Sequence, residues 1–304
     1  MGKLPFILDF DASAGALPGA TVLALAHWHQ RIRFGCSLRN LVALQDELVV
    51  RMPADPGPVF TGSGDFHHVS LLLLQRLAAR GPLDVVVLDN HPDNMRYPWG
   101  IHCGSWVSHV ARLPFVRHVL VMGISSPDVS LRHVLENRLL PLWRGRVSYW
   151  CLGLDVRWAP YAGLGQAIRG FDSTRAMLDA FAGQQKNARG PVYLSVDKDV
   201  LSPAVARTNW DQGRLTEADI LEVASSVRAR LAGCDITGDV SVAHYASRWK
   251  RWLSRLDAQP DVAGAALGQW QAAQHALNRR ILLALVPGQS RMDEDALHGS
   301  KDEM

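Results

Sequence analysis

Two short stretches of the chain hold acids at alternate positions. The first is Asp89-Asn90-His91-Pro92-Asp93, with Asp, His and Asp at every second residue. The second is Ser195-Val196-Asp197-Lys198-Asp199, which runs on to Val200-Leu201-Ser202-Pro203. In an extended backbone alternate side chains share a face, so each stretch gathers carboxylates on one side. Like charges so placed repel unless a cation lies between them. Oxygen donors mixed with imidazole are ligands for a divalent cation. Either stretch alone is also the pattern of a polar turn, with one Asp capping and the other solvated. Two further segments add histidine. Thr61-Gly62-Ser63-Gly64-Asp65-Phe66-His67-His68 is a glycine-rich turn entering a helix, readable also as a plain turn capped by Asp65. Gly100-Ile101-His102-Cys103-Gly104 places a histidine where it could donate or accept a proton over a site. By itself His102 reads equally as a partly buried loop histidine.

These segments need elements to hold them. Short apolar runs ending in Gly, Asp or Pro predict strands at Pro5–Phe10, Val59–Thr61, Asp84–Asp89, His118–Gly123, Val147–Leu152, Val192–Val196 and Asp235–Val240. Helical patterns lie between them, at Thr21–Arg33, Leu38–Arg51, Val69–Arg80, Ser105–Arg112, Ser130–Leu139, Thr174–Gly183, Thr216–Leu231 and Val242–Leu256. A further long helix or helix pair is expected over Pro260–Val286. Strands alternating with helices imply an α/β fold, a mostly parallel sheet with helices on its faces. Unbroken apolar strands such as Val85-Val86-Val87-Leu88 suit a sheet buried on both sides. In such sheets ligands bind beyond the carboxyl ends of the strands, which puts all four chemical segments on one edge.

In order and residue type these segments resemble the ureohydrolase (arginase/agmatinase) superfamily. The carriers are Gly64-Asp65-Phe66-His67, Asp89…Asp93, His102, Ser195…Pro203 and Asp235-Ile236-Thr237-Gly238. The resemblance implies a three-layer α/β/α arginase-like fold and a binuclear metal site. Its ligands would be His67, Asp89, His91, Asp93, Asp197 and Asp199, with His68 as an alternative to His67 because Phe66 is extra to the family spacing. Four carboxylates would balance two divalent ions, and their unpaired burial would be very unfavourable. Mn²⁺ suits such ligands best, with Ni²⁺, Fe²⁺, Co²⁺ and Zn²⁺ as alternatives. The implied reaction is hydrolysis of a C–N bond in a guanidino, amide or amidine compound by a metal-bridging hydroxide. Asp93 would orient that hydroxide and His102 would protonate the departing amine. The family's guanidinium-gripping glutamate falls on Gly238. Asp239 beside it is the expected substrate-binding carboxylate, although a one-residue shift on a strand turns a side chain to the other face. Ser202 stands where the family has aspartate, and the loop Ala204–Gly213 departs from its pattern. Trp99, Trp106 and Trp210 lie near the edge and could line a pocket.

Three other readings use parts of the same sequence. Phe6-Ile7-Leu8-Asp9-Phe10-Asp11 resembles the nucleophile motif of haloacid-dehalogenase phosphatases, with Asp9 and Asp11 as its acids. A one-zinc deacetylase-like enzyme shares the broad fold class. A non-catalytic or repurposed member would keep the fold alone.

Composition sets the outer limits. The chain has 304 residues, 48% hydrophobic and 20% charged, which excludes a mostly disordered chain or a coiled coil. One domain over residues 1–286 is expected, with a polar, disordered tail at 287–304. A net charge of +3 gives no argument for nucleic acid or membrane partners. A small-molecule substrate is expected, and the family resemblance implies a homo-oligomer. Cys36, Cys103, Cys151 and Cys234 form no C-x-x-C pair. With Asp9 interrupting the N-terminal apolar run, they suggest a reduced, cytoplasmic protein.

Overall fold

A computed structural model describes residues 3–242, 245–256 and 266–286. Its strands, in chain order, are β1 (Phe6–Asp9), β2 (Thr21–Ala24), β3 (Gly35–Cys36), β4 (Val59–Gly62), β5 (Leu83–Leu88), β6 (Ile101–His102), β7 (Val116–Ile124), β8 (Val147–Leu152), β9 (Ile168–Phe171), β10 (Val192–Asp197) and β11 (Leu231–Thr237). Nine of them form one sheet in the order β2-β1-β4-β11-β10-β5-β7-β8-β9, and every neighbouring pair is parallel. β3 and β6 make a separate antiparallel pair.

Alternation along the strands builds two cores. Val85, Val87, Val119 and Val121 pack on one face with Leu41, Leu44 and Leu48 of the helix Leu38–Arg51. Val86, Leu88, Leu120 and Met122 pack on the other with Met177, Leu178 and Phe181 of Thr174–Asn187 and Ile220 and Val223 of Glu217–Val227. Leu277 and Ile281 of the helix Ala266–Leu285 complete that second layer. Each fully buried side chain of this kind contributes about 1.5–3 kcal/mol. The result is a three-layer α/β/α arrangement with the sheet buried on both faces.

The sheet order creates the crevice. From β5 the chain moves to β7 on one side, while from the adjacent β10 it moves to β11 on the other. Such a reversal opens a gap beyond the carboxyl ends of the two strands. Register then aligns the chemistry. Leu88 pairs with Val196, Asp197 with Thr237, and Thr237 with Gly62. Asp89, Asp197 and the turn after Gly62 therefore leave the sheet side by side.

Several elements differ from the sequence expectation. Thr21–Ala24 is an edge strand, because β-branched Thr21 and Val22 pair with Phe6 and Ile7. Only short helices follow, at Ala26–Trp28 and His29–Ile32. Ser130–Leu139 holds turns and only the short 3-10 helix Val134–Glu136, since Asn137 donates from Nδ2 to the Asp128 carbonyl and the Arg138 N–H bonds to Asn94. β9 lacks a strong apolar run and was not foreseen. β11 begins at Leu231 and stops at Thr237, ahead of Gly238 with φ +89°. The expected tail at 287–304 lies outside the described residues.

Candidate metal centre

Short backbone hydrogen bonds shape the two acid loops. The His91 N–H donates to Asp89 Oδ1 (2.7 Å), folding the chain just past β5. Asp93 then adopts a left-handed backbone with φ +46°. The Asp199 N–H donates to Asp197 Oδ1 (3.0 Å), and the Asn90 N–H donates to Asp199 Oδ1 (3.0 Å), which ties the loops together. The third loop approaches closely, because a Cβ on Gly64 would sit 3.0 Å from Asp197 Oδ2.

His67 and His91 complete two groups of possible ligands: His67, Asp89 and Asp93, and Asp89, His91 and Asp199. His67 Nδ1 lies 2.9 Å from Asp93 Oδ2, 3.3 Å from Asp89 Oδ2 and 3.4 Å from Asp197 Oδ2. His91 Nδ1 lies 2.9 Å from Asp199 Oδ2 and 3.6 Å from Asp89 Oδ1. Asp89 therefore presents one carboxylate oxygen to each histidine, as a bridging ligand does.

The bonds behind the rings decide which nitrogen faces the acids. Asp235, fully buried, accepts from Ser195 Oγ (2.7 Å) and from the Tyr193 hydroxyl. Ser195 has then given its proton away, so its oxygen accepts from His67 Nε2 (2.9 Å). In the neutral ring that leaves the lone pair on Nδ1. On the other side His91 Nε2 lies 2.7 Å from Asp211 Oδ1, a carboxylate that can only accept when ionised. Both imidazoles thus turn a lone pair toward carboxylates, and acceptor facing acceptor requires a proton or a cation between. His67 Nδ1 and Asp89 Oδ2 are buried without any hydrogen-bond partner among the described residues. The donor set fits two divalent ions.

Without a cation, protons must fill the same space. Burial opposes charge on His67 and His91, yet Asp89 and Asp93 around the first, and Asp199 around the second, raise both well above the ordinary histidine value. Burial and the Asp89 charge push Asp93 up to about 7, and the same two causes push Asp199 up to about 7. Burial and Asp199 also raise Asp197. Asp89 alone is held low, because His67 and His91 outweigh its burial.

The floor of the site opens to a cleft of about 460 Å³, lined by His67, His91, Asp93, His102, Asp197 and Asp199 among others. His102 is buried and its Nδ1 accepts from the Gly104 N–H (2.9 Å), which leaves the proton of the neutral ring on Nε2. Burial pushes His102 down to about 4. Trp210 lines the cleft and donates to Asp65 (3.1 Å), while fully buried Trp106 donates from Nε1 to Asp93 Oδ2 (2.6 Å). Trp99 is 55% exposed and packs on Tyr97 and Trp249 outside the cleft.

Other expected residues are placed elsewhere. Asp239 is fully buried, accepts from Lys198 Nζ and from Asn278 Nδ2 (3.0 Å), and does not line the cleft. The reason is Gly238, whose positive φ turns the chain away. A Cβ at Gly238 would lie 2.5 Å from Asp197 Oδ1, so a larger side chain has no room there. Asp239 is thereby corrected from substrate contact to a buried counter-ion. His68 is buried but joins neither ligand group. Asp11 pairs with the buried Arg33 (3.2 Å), and neither Asp9 nor Asp11 lines the cleft. Sequence reasoning missed Asp211 and Trp106 as partners of the candidate ligands, and Lys198 as the ion hidden between Asp197 and Asp199. The lone charge of Lys198 inside an acidic, strand-terminal motif was the available signal.

No protein-family model matches the chain. An uncharacterized protein of Thermotoga maritima is 25% identical over 189 residues, 62% of this chain. The match spans 60% of that relative's length. The solved structure of proclavaminate amidino hydrolase from Streptomyces clavuligerus superposes with a TM-score of 0.54 at 17% identity, covering 93% of each chain. Arginase from Bacillus caldovelox superposes with a TM-score of 0.50 at 14% identity, covering 95% of this chain and 99% of the arginase. The fold is arginase-like, an α/β/α sandwich, as the sequence motifs implied.

Proposed function

We propose that this chain hydrolyses a C–N bond in a guanidino, amidine or amide compound, with two divalent ions held by His67, Asp89, His91, Asp93, Asp197 and Asp199. One observation carries the reading: two ligand groups share the two oxygens of Asp89, with the imidazole lone pairs turned toward them. Mn²⁺ is the ion best matched to four carboxylates and two imidazoles. When bound, such ions neutralise the acids and make water a nucleophile near neutral pH.

The chain's own groups supply the rest. Asp93, itself one of the ligands, has a carboxylate that would take a proton from the attacking water and pass it on. Trp106 holds it in place through Oδ2. His102 lines the cleft and, with Nδ1 accepting from Gly104, presents Nε2–H as a hydrogen-bond donor to the departing nitrogen, which takes its proton from Asp93. The Ser195–Asp235 and Asp211 contacts orient the two histidines, a role that typically changes metal affinity about 10–100-fold. The test is a metal count on the purified protein, then urea and ammonia release across guanidino, amidine and amide compounds. About two ions per chain and release from at least one class are expected. Release of neither product from metal-loaded protein overturns the proposal.

A further inference from the structure

Four arginines share one small pocket away from the acid loops. Arg112, Arg138, Arg144 and Arg146 line a cavity of about 150 Å³, and none of the candidate metal ligands does. Arg146 stands directly before Val147, the first residue of β8, and its carbonyl accepts from the Val119 N–H of β7. It therefore sits toward the amino ends of strands whose carboxyl ends face the metal centre. Its guanidinium is fixed in place. Nε donates to the Ala111 carbonyl (3.1 Å), and Nη2 donates to the carbonyls of Ala111 (2.9 Å) and Leu113 (3.1 Å). Those acceptors are uncharged, so the positive charge of Arg146 is not neutralised. Arg138 is held through its backbone, its N–H donating to the Asn94 carbonyl (2.9 Å) and its own carbonyl accepting from Asn94 Nδ2 (2.9 Å).

No carboxylate answers these charges. Among the described residues, none of the four guanidiniums pairs with an Asp or Glu. Elsewhere on the surface, Arg117, Arg157, Arg175 and Arg280 each hold a carboxylate. Arg138 Nε is buried and has no hydrogen-bond partner among the described residues. Burial and the charges of Arg112 and Arg96 lower Arg138 from the ordinary guanidinium value. Burial, Arg112 and Arg138 push the nearby His109 down to about 4, so its ring is neutral near pH 7. Guanidiniums do not escape repulsion by losing a proton in this way. Confined like charges and a buried donor without an acceptor both cost free energy, and an anion from outside the protein relieves both.

We propose that this pocket binds a phosphoryl group, carried by inorganic phosphate or by a small phosphate monoester. A phosphoryl dianion offers at least three oxygens and serves several guanidiniums at once, whereas a carboxylate has two oxygens that one planar fork already fills. Arg138 and Arg146 are the fixed inner donors, and the exposed Arg112 and Arg144 are the outer ones. The cavity takes the phosphoryl group and leaves the body of an ester outside. The site does not depend on the hydrolase reading.

The experiment titrates the full chain, as purified, by calorimetry with inorganic phosphate, methyl phosphate and acetate at about 0.15 M ionic strength. One of the two phosphates is expected to bind with a Kd of about 1 mM or tighter, and acetate at least about tenfold more weakly. Tighter inorganic phosphate assigns the free ion, and tighter methyl phosphate assigns a monoester. Arg112→Gln combined with Arg144→Gln is expected to weaken binding at least about tenfold. Without phosphate, the same variant is expected to unfold at a urea midpoint equal to or above the parent's, because repulsion is relieved. Arg138→Lys keeps the charge but loses the buried Nε, and is also expected to bind more weakly. Asp89→Asn, which alters the metal centre, is expected to bind phosphate as the parent does. The inference is overturned if neither phosphate binds the parent, if acetate binds as tightly, or if the arginine double variant keeps full affinity. Loss of binding in Asp89→Asn overturns it too, since phosphate would then sit on the metal ions.

Discussion

Asp89→Asn tests the geometry of the centre most directly, because Asp89 is the one residue common to both ligand groups. The amide keeps the Oδ1 acceptor for the His91 N–H and nearly the same volume, so the loop can still fold. It removes the charge that each group shares. Asp93→Asn and Asp199→Asn are the controls, since each belongs to a single group. At free Mn²⁺ about 100 times the dissociation constant, each ion stabilises the folded state by about 2.7 kcal/mol. A hundredfold loss of affinity leaves about 0.4 kcal/mol, so each affected ion costs about 2.3 kcal/mol. The single-group variants should lose one ion and about 2 kcal/mol, whereas Asp89→Asn should lose both ions and about 5 kcal/mol. For a chain of 304 residues, at roughly 2 °C per kcal/mol, those losses are about 5 °C and about 9 °C in Mn²⁺-dependent Tm. Metal counting after dialysis and thermal unfolding with Mn²⁺ or chelator read both quantities. An Asp89→Asn protein that keeps one tight ion, or single-group variants that lose both, would refute the shared-carboxylate arrangement.

Further predictions concern protons, the buried ion pair and the turn at Gly238. In metal-free protein, raised His67 and His91 give stability that is complete below about pH 6.5 and lost as pH rises through their folded values. Asp93 and Asp199, pushed up to about 7, keep protons that the unfolded chain releases near pH 4, so they too lower stability as pH rises from about 4 to about 7. Asp89, held low, acts oppositely, but only on acidification below that window. Urea midpoints in chelator should therefore fall between about pH 5 and about pH 7, while added Mn²⁺, which displaces those protons, should stabilise more over the same range; a parallel rise in both conditions would contradict this. Lys198→Met strands the buried Asp239 and should cost about 3–5 kcal/mol in urea unfolding, with much of it recovered when Asp239→Leu is added. Gly238→Ala should destabilise by about 1–3 kcal/mol through its backbone conformation alone, and the contact with Asp197 should also weaken Mn²⁺ binding in calorimetry.

Local rules carried the sequence a long way toward the site. Alternation in Asp89-x-His91-x-Asp93 and Asp197-x-Asp199 needs only a strand ending into a loop, and Val85–Leu88 and Val192–Val196 announce those strands by their apolar runs. Parity of two along the chain is enough to put like groups on one side. The α/β class followed from the same alternation of apolar runs and helical patterns. Partnership across the fold was not legible in this way. Asp211 is 120 residues from His91, and Ser195 is 128 from His67; their contacts depend on which strands are neighbours. Asp239 shows the limit most clearly. Its residue type and position beside the family glutamate suggested a substrate contact, but the positive φ at Gly238 reversed its direction and Lys198 neutralised it inside the protein. Asn137 lies in a segment whose pattern suggested a helix, and only bonds to Asp128, with Arg138 held by Asn94, pull it into the cleft wall. Residue type and spacing alone name the side chains that could hold cations and imply a parallel sheet to present them. Tertiary structure decided which oxygen faces which nitrogen, because that depends on register, backbone handedness and contacts between residues far apart in the chain.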